Sequence, residues 1–283
     1  MKNHFYLLPI VVVAGSLVLS SCAPATTALP PTAELQPSDT RPAPSDTAVV
    51  SPTQSPAPKT TPIVLKAGSE SGSDGAEVEI TYICNEGFLF TSSRGEKILV
   101  DAMMASYPPF GELTPEQRNL LGGAAPPFDG IDLILITHDD EDHYDFELIR
   151  KHMENDPKTV LVTTEKAALR LKEIFPGRVQ TVHVDEGKKE PLAVNGIELE
   201  VLGLRHSQSD YNFGHVGFLF AIGGRRILHL GDFDNIRTLP DDLGEIDVAF
   251  VVYWASAPKA KNVIYMHWEE PSPYKPMQKW ILK

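Results

Sequence analysis

The stretch that most constrains this chain is Thr137-His138-Asp139-Asp140-Glu141-Asp142-His143. It follows Ile131-Asp132-Leu133-Ile134-Leu135-Ile136, an apolar, β-branched run bounded by Asp129-Gly130, which is the pattern of a short buried strand. One strand therefore ends by delivering two histidines and four carboxylates into a single loop. Imidazole and carboxylate are the ligands of Zn²⁺ and similar divalent ions. Runs of acids also occur as solvated loops or as oxygen-only Ca²⁺ loops. Against Ca²⁺, no glycine stands where an EF-hand turn needs one, and imidazole suits that ion poorly.

Not all of the 283 residues can belong to a core. Residues 1–22 read as a secretory signal: a short polar start at Lys2 and His4, then an apolar run from Phe5 to Leu19 broken by Pro9 and Gly15. That run is short for a membrane span. It closes on Leu19-Ser20-Ser21-Cys22, which resembles the lipobox of bacterial lipoproteins, in which cleavage leaves a lipidated cysteine, here Cys22, as the new N-terminus. An ordinary leader cut nearby and an uncleaved anchor are the alternatives. Residues 23–75 are rich in Pro, Ala, Thr and Ser, with no periodicity and no aromatic residue. Such a composition buries too little apolar surface to offset chain entropy, so it reads as a disordered tether.

Residues 76–283 remain as one globular domain of ordinary size. The two cysteines make no disulfide framework, and Cys84 lies in an apolar strand-like stretch as a buried thiol. The formal net charge of -13 disfavours nucleic acid as a partner. Strand patterns run over 76–82, 87–91, 97–101, 131–136, 159–163, 179–184, 192–194, 197–202, 216–222, 225–230, 247–253 and 262–266. Asn195-Gly196 and Gly223-Gly224 mark hairpins. Helical patterns start near Thr114-Pro115 and run over 145–153 and 165–175, the last stopped by Pro176-Gly177. The Gly/Pro loops carrying Tyr107 and Phe110 either border a cleft or are plain surface.

Four of these strands end in His138/His143, His206, Asp232 and His267. Ligands on loops at strand ends are how α/β folds build sites. The set Thr137-His138-x-Asp140-x-Asp142-His143, His206, Gly231-Asp232, His267 resembles the metallo-β-lactamase superfamily, with its T-H-x-H-x-D-H loop, downstream His, G-D pair and final His. The resemblance runs from about Thr81 to His267. It implies an α/β fold, the αβ/βα four-layer sandwich, with the metal cleft at one edge. It implies one ion held by His138, Asp140 and His206, and a second held by Asp142, His143 and His267, with Asp232 bridging. A water held by the ions would then be the nucleophile, and Asp142 would orient or deprotonate it.

One position departs from the family: 140 is Asp where a second loop His is usual. A harder, charged ligand there shifts preference from Zn²⁺ toward Mn²⁺ or Fe²⁺, or weakens the first position so that a single ion binds. His229, three residues before Asp232, reads as structural, and His215 is the rival to His206. His152 and His183 read as surface or core residues, and Tyr211 and Asn212 as candidate substrate contacts. Two functions are in view. One is a metal-dependent hydrolase, lipid-anchored outside a bacterial cytoplasm through Cys22, acting on a small or lipid-like ester or phosphodiester. The other is a metal-binding or envelope-structural protein with a lapsed site. Nothing in the sequence speaks for a β-lactam pocket, and nothing sets an oligomeric state.

Overall fold

The computed structural model describes residues 62–65, 76–206, 214–233 and 235–283. The signal segment with Cys22, most of the tether, and Tyr211 and Asn212 lie outside the described residues.

Two sheets face each other. The first takes the order β1 (Ile63–Leu65), β14 (Lys279–Leu282), β2 (Val78–Cys84), β3 (Gly87–Ser92), β4 (Lys97–Val100), β5 (Leu133–Leu135), β6 (Val160–Thr164) and β7 (Val179–Val182). The second takes the order β13 (Asn262–Met266), β12 (Val248–Val252), β11 (Arg225–His229), β10 (His215–Ile222), β9 (Ile197–Leu204) and β8 (Lys189–Val194). Several antiparallel neighbours join through tight turns. Asn195 and Gly196 both take positive φ between β8 and β9, as do Gly223 and Gly224 between β10 and β11, the conformation that primed hairpin turns require.

From β4 to β7 the pairing is parallel, so each step needs a crossover. The crossovers carry α1 (Pro115–Gly122), α2 (Phe146–Asn155) and α3 (Glu165–Ile174). Thr114 caps α1 in a reciprocal capping box with Gln117, with Pro115 at the first turn. The Asp145 carboxylate caps α2 through Leu148 N–H at 3.1 Å.

Strand alternation sorts the core. Phe88, Phe90, Ile98, Val100, Leu133 and Leu135 point between the sheets, where they meet Phe218, Phe220, Val248 and Phe250. Their neighbours Leu89, Leu99, Ile134 and Leu161 point the other way, onto α2 and α3 through Leu148, Ile149, Ala168 and Leu171. Phe88 and Phe250 have ring centroids 4.5 Å apart, and Phe90 meets Phe220 at 5.2 Å, so aromatic pairs pin one sheet to the other.

The fold is thus the expected mixed α/β sandwich of two sheets, with few helices. On the outer face of the second sheet, among the described residues, irregular chain takes the place of α-helices. Leu239, Leu243, Ile246 and Ala255 pack on Leu202, Leu219, Leu228 and Ala249, with one 3₁₀ turn at Ile236–Thr238. Pro240 and Gly244 interrupt that segment, which leaves no room for a regular helix.

The tether reading needs one correction. Ile63–Leu65, placed there with the linker, pairs in parallel with Trp280, Ile281 and Leu282, and Leu65 packs against the inter-sheet core. Three apolar residues gain main-chain pairing on an edge that composition alone does not reveal.

Candidate metal centre

The two sheets bring their strand ends to one edge, and Thr137 locks them there. Its N–H and Oγ1 donate to the two carboxylate oxygens of Asp101 at 2.9 and 2.8 Å. Its carbonyl accepts from Val216 N–H of β10 at 3.0 Å. The loop that follows folds back on itself, since His143 N–H and Tyr144 N–H both donate to Asp140 C=O. Asp139 turns away to Lys166 of α3 at 2.8 Å. His138, Asp140, Asp142 and His143 are left converging.

They form two donor sets that share Asp232. In the first, His206 Nε2 lies 3.1 Å from Asp232 Oδ2 and 3.4 Å from Asp140 Oδ2. His138 Nε2 lies 3.5 Å from Asp140 Oδ2 and 4.0 Å from Asp232 Oδ2. In the second, His267 Nε2 is 3.2 Å from both Asp142 Oδ2 and Asp232 Oδ1. His143 Nε2 is 3.3 Å from Asp232 Oδ1 and 3.7 Å from Asp142 Oδ2.

Four atoms arranged tetrahedrally about an ion at roughly 2.0–2.1 Å stand about 3.3 Å apart, and the nitrogen–oxygen pairs of the two sets lie 3.1–4.0 Å apart. The Nε2 atoms of His138, His143 and His267, and Asp232 Oδ1, are buried without a hydrogen-bond partner. Buried polar atoms are costly in that state, and one divalent ion per set would satisfy them. The residues therefore suit divalent metal, and Asp140 Oδ2 lies within 3.5 Å of both His138 and His206.

Outer contacts aim these ligands. Asp101 accepts from His143 Nδ1 at 3.2 Å, which leaves Nε2 as the lone-pair donor. Asn85 Nδ2 donates to Asp142 C=O at 3.2 Å and to its Oδ2 at 3.4 Å. Gly231 has φ +57°, and a Cβ there would lie 2.6 Å from His215 Nε2 and 2.8 Å from Thr137 Oγ1. That close approach is why glycine precedes Asp232.

Charge in the metal-free site follows from burial and pairing. Burial opposes the charged form of His267, but the Asp142 and Asp232 carboxylates, each 3.2 Å from its Nε2, outweigh it and raise its pKa to about 10. His206 is likewise raised to about 9 against burial, by Asp140 and Asp232. Asp140 is held below the usual carboxylate range by His138 and His206. Burial works against ionisation of Asp232, yet His143, His206 and His267 keep it well below that range. The Asp140 side chain is 55% exposed against 7% for Asp232, so the first set opens to solvent.

The remaining sequence expectations sort cleanly. His229 lies outside both donor sets: its Nε2 donates to Glu86 C=O at 3.0 Å and its Nδ1 accepts from Gly231 N–H at 3.4 Å, with Asp101 Oδ2 3.9 Å from Nδ1. His215 is buried, its ring 5.1 Å from that of His138, and it belongs to neither donor set. His152 is buried against Leu121 C=O and His183 is exposed. Cys84 is a buried free thiol.

Phe110 packs edge-on to His267 at 4.2 Å and Trp254 does so at 5.1 Å. The loop of Tyr107 and Phe110 thus borders the site. Asn85, Glu86 and Asp101 were missed. Asp101 carried the same strand-end signal as Asp232, whereas Glu86, in a hairpin turn, carried none.

Residues 96–270 match the family model of the beta-lactamase superfamily domain. The chain belongs to the metallo-β-lactamase superfamily. Members of this superfamily bind divalent metals, in keeping with the two donor sets above.

Among solved structures, the chain is similar to a candidate metal-dependent hydrolase from Parabacteroides distasonis, at 21% identity, over 69% of this chain and 78% of that one, with a TM-score of 0.45. It is similar to the metallo-beta-lactamase fold protein YhfI from Bacillus subtilis at 13% identity, over 62% and 71%, with a TM-score of 0.43. A mutant of CmlA beta-hydroxylase matches at 21% identity and a TM-score of 0.44, over 62% of this chain, which spans only 35% of that protein. No curated protein matches the sequence.

Proposed function

We propose that this member of the superfamily is a metal-dependent hydrolase of esters or phosphodiesters. The observation that carries the reading is the pair of donor sets that share Asp232, with ligand-like spacing in each, and the buried Nε2 atoms of His138, His143 and His267 that lack a hydrogen-bond partner. His138, Asp140, His206 and Asp232 would hold one ion, and Asp142, His143, His267 and Asp232 the other. Bound divalent ions supply a water nucleophile at neutral pH and polarise the oxygen under attack.

The chain's own groups do the rest. Burial opposes the Asp142 carboxylate, but His267 and His143 keep its pKa below the usual range, so it is ready to orient water or take its proton. Asn85 fixes its direction. Phe110 and Trp254 wall the side of His267 and suit an apolar or planar substrate group. The open side at Asp140 admits the reacting bond.

The placement of Asp140 Oδ2 within 3.4 and 3.5 Å of two imidazoles speaks for a working site over a lapsed one. In metal-loaded protein, Asp142→Asn is expected to lower kcat on bis-p-nitrophenyl phosphate or p-nitrophenyl esters about 10²–10⁴-fold and to weaken the ion held with His143 and His267. No turnover of either class by the loaded parent would refute the reading.

The reading extends to location. Cys22 would anchor the chain by lipid to the outer face of a bacterial membrane, beside lipid-like substrates. Incorporation of a clickable palmitate analogue into the parent and its loss in Cys22→Ser supports this; label that persists in the variant contradicts it.

A further inference from the structure

Glu86 occupies the two-residue turn between β2 and β3, a place where glutamate is ordinarily solvated. Here it is 0% exposed, and both carboxylate oxygens lack any hydrogen-bond partner. The turn is forced inward. A Cβ at Gly87 would lie 2.8 Å from Ala102 Cα and 2.9 Å from Cys84 C=O, so the backbone packs tightly on the exit of β4. His229 Nε2 holds the Glu86 carbonyl, which fixes the main chain, while the carboxyl reaches His143, its Oε2 3.8 Å from Nδ1.

That carboxyl faces the second donor set. It offers an oxygen that, with one ligand atom each of His143, Asp232 and His267, forms a group lying within 4.8 Å of one another. Trans ligands about an octahedral ion at roughly 2.1 Å stand about 4.2 Å apart, so one ion can reach all four after small adjustments. The preceding residue, Asn85, already addresses the same position through Asp142. Both residues of the turn thus serve one place.

We propose that Glu86 is a further protein ligand of the ion held by Asp142, His143, Asp232 and His267. The second position then has two nitrogen and three oxygen donors, a set that favours five or six ligands and a harder ion over tetrahedral Zn²⁺. The assignment rests on the binuclear reading of the centre, not on turnover.

The test therefore reads ion binding without substrate. Metal-free full-length chain, Glu86→Gln and Glu86→Asp are titrated with Mn²⁺ and with Co²⁺, following stoichiometry, affinity and the visible Co²⁺ spectrum. Glu86→Gln keeps shape and loses the anion; Glu86→Asp keeps the anion and withdraws it by one methylene.

Both variants are expected to bind the second ion more than about tenfold more weakly, the scale of even an outer-contact loss. Both should also show a more intense Co²⁺ ligand-field band, as one ligand leaves. The metal-free melting temperature of Glu86→Gln should not fall, because a buried carboxyl without a hydrogen-bond partner is removed. Parent-like affinity and spectrum in Glu86→Gln would overturn the proposal. So would parent-like binding in Glu86→Asp, which would reduce Glu86 to a distant charge. A parent that binds no ion refutes the metal centre itself, a result distinct from both.

Discussion

At the scale of the residue, the chain's chemistry turns on position 140. Its carboxylate sits where an imidazole is usual, within 3.5 Å of both His138 and His206. Replacing a neutral nitrogen donor by an anion hardens the first position. Asp140→His is accordingly expected to raise preference for Zn²⁺ over Mn²⁺ at that position, read by mass spectrometry after competitive loading. Unchanged metal identity and unchanged turnover would show that position 140 does not tune the site.

Most of this constellation was legible in the sequence. His138, Asp140, Asp142, His143, His206, Asp232 and His267 each follow an apolar run, and runs that end in donors declare themselves. The outer contacts were harder to read. Asp101 also ends a strand, but with no histidine beside it the signal is faint. Glu86 acquires its place only because Gly87 packs against Ala102 and His229 holds its carbonyl, contacts between residues far apart in sequence.

At the scale of the element, the site's precision depends on two sheets held in register. Phe88 is the hinge of that contact, meeting Phe250, Phe90, Trp280 and the His229 ring. Phe88→Ala opens a cavity between the sheets and is expected to cost about 3–5 kcal/mol, seen as a lower denaturant midpoint. Leu169→Ala on the exposed face of α3, 67% exposed, should stay within about 0.5 kcal/mol. Equal effects from the two would contradict the inter-sheet core.

Hairpins at Asn195-Gly196 and Gly223-Gly224 were readable because their turn chemistry is local. β1 and β14 were not, since runs of three or four residues declare no period and their pairing joins residues 63–65 to the far end of the chain. The second outer layer was expected to be helical, and the broken segment through Pro240 and Gly244 covers the sheet instead.

At the scale of the whole molecule, folding, proton binding and ion binding are coupled. In the metal-free protein His206 and His267 titrate near 9 and 10, above the ordinary imidazole value of about 6.5. Their pairing with Asp140, Asp142 and Asp232 thus stabilises the metal-free fold fully below about pH 6.5, and that stabilisation fades as pH rises through the raised values. Ion binding has the opposite sign. It needs neutral imidazole, so the protons must leave and apparent affinity must climb with pH up to about 9–10. A saturating ion would in turn raise stability by about 4 kcal/mol at a thousandfold excess over Kd. No helix among the described residues is long and apolar enough to cross a membrane.

One titration tests the central claim most directly: calorimetric addition of divalent ions to the metal-free full-length chain, in two buffers of different protonation enthalpy, beside Asp232→Asn. Two ions per parent chain are expected, with net proton release and affinity that rises between pH 6 and 8. Asp232→Asn should bind fewer ions, more weakly, because both donor sets lose their shared carboxylate. A parent that takes up no ion, or a variant that matches it in ion count and affinity, would contradict the bridged centre.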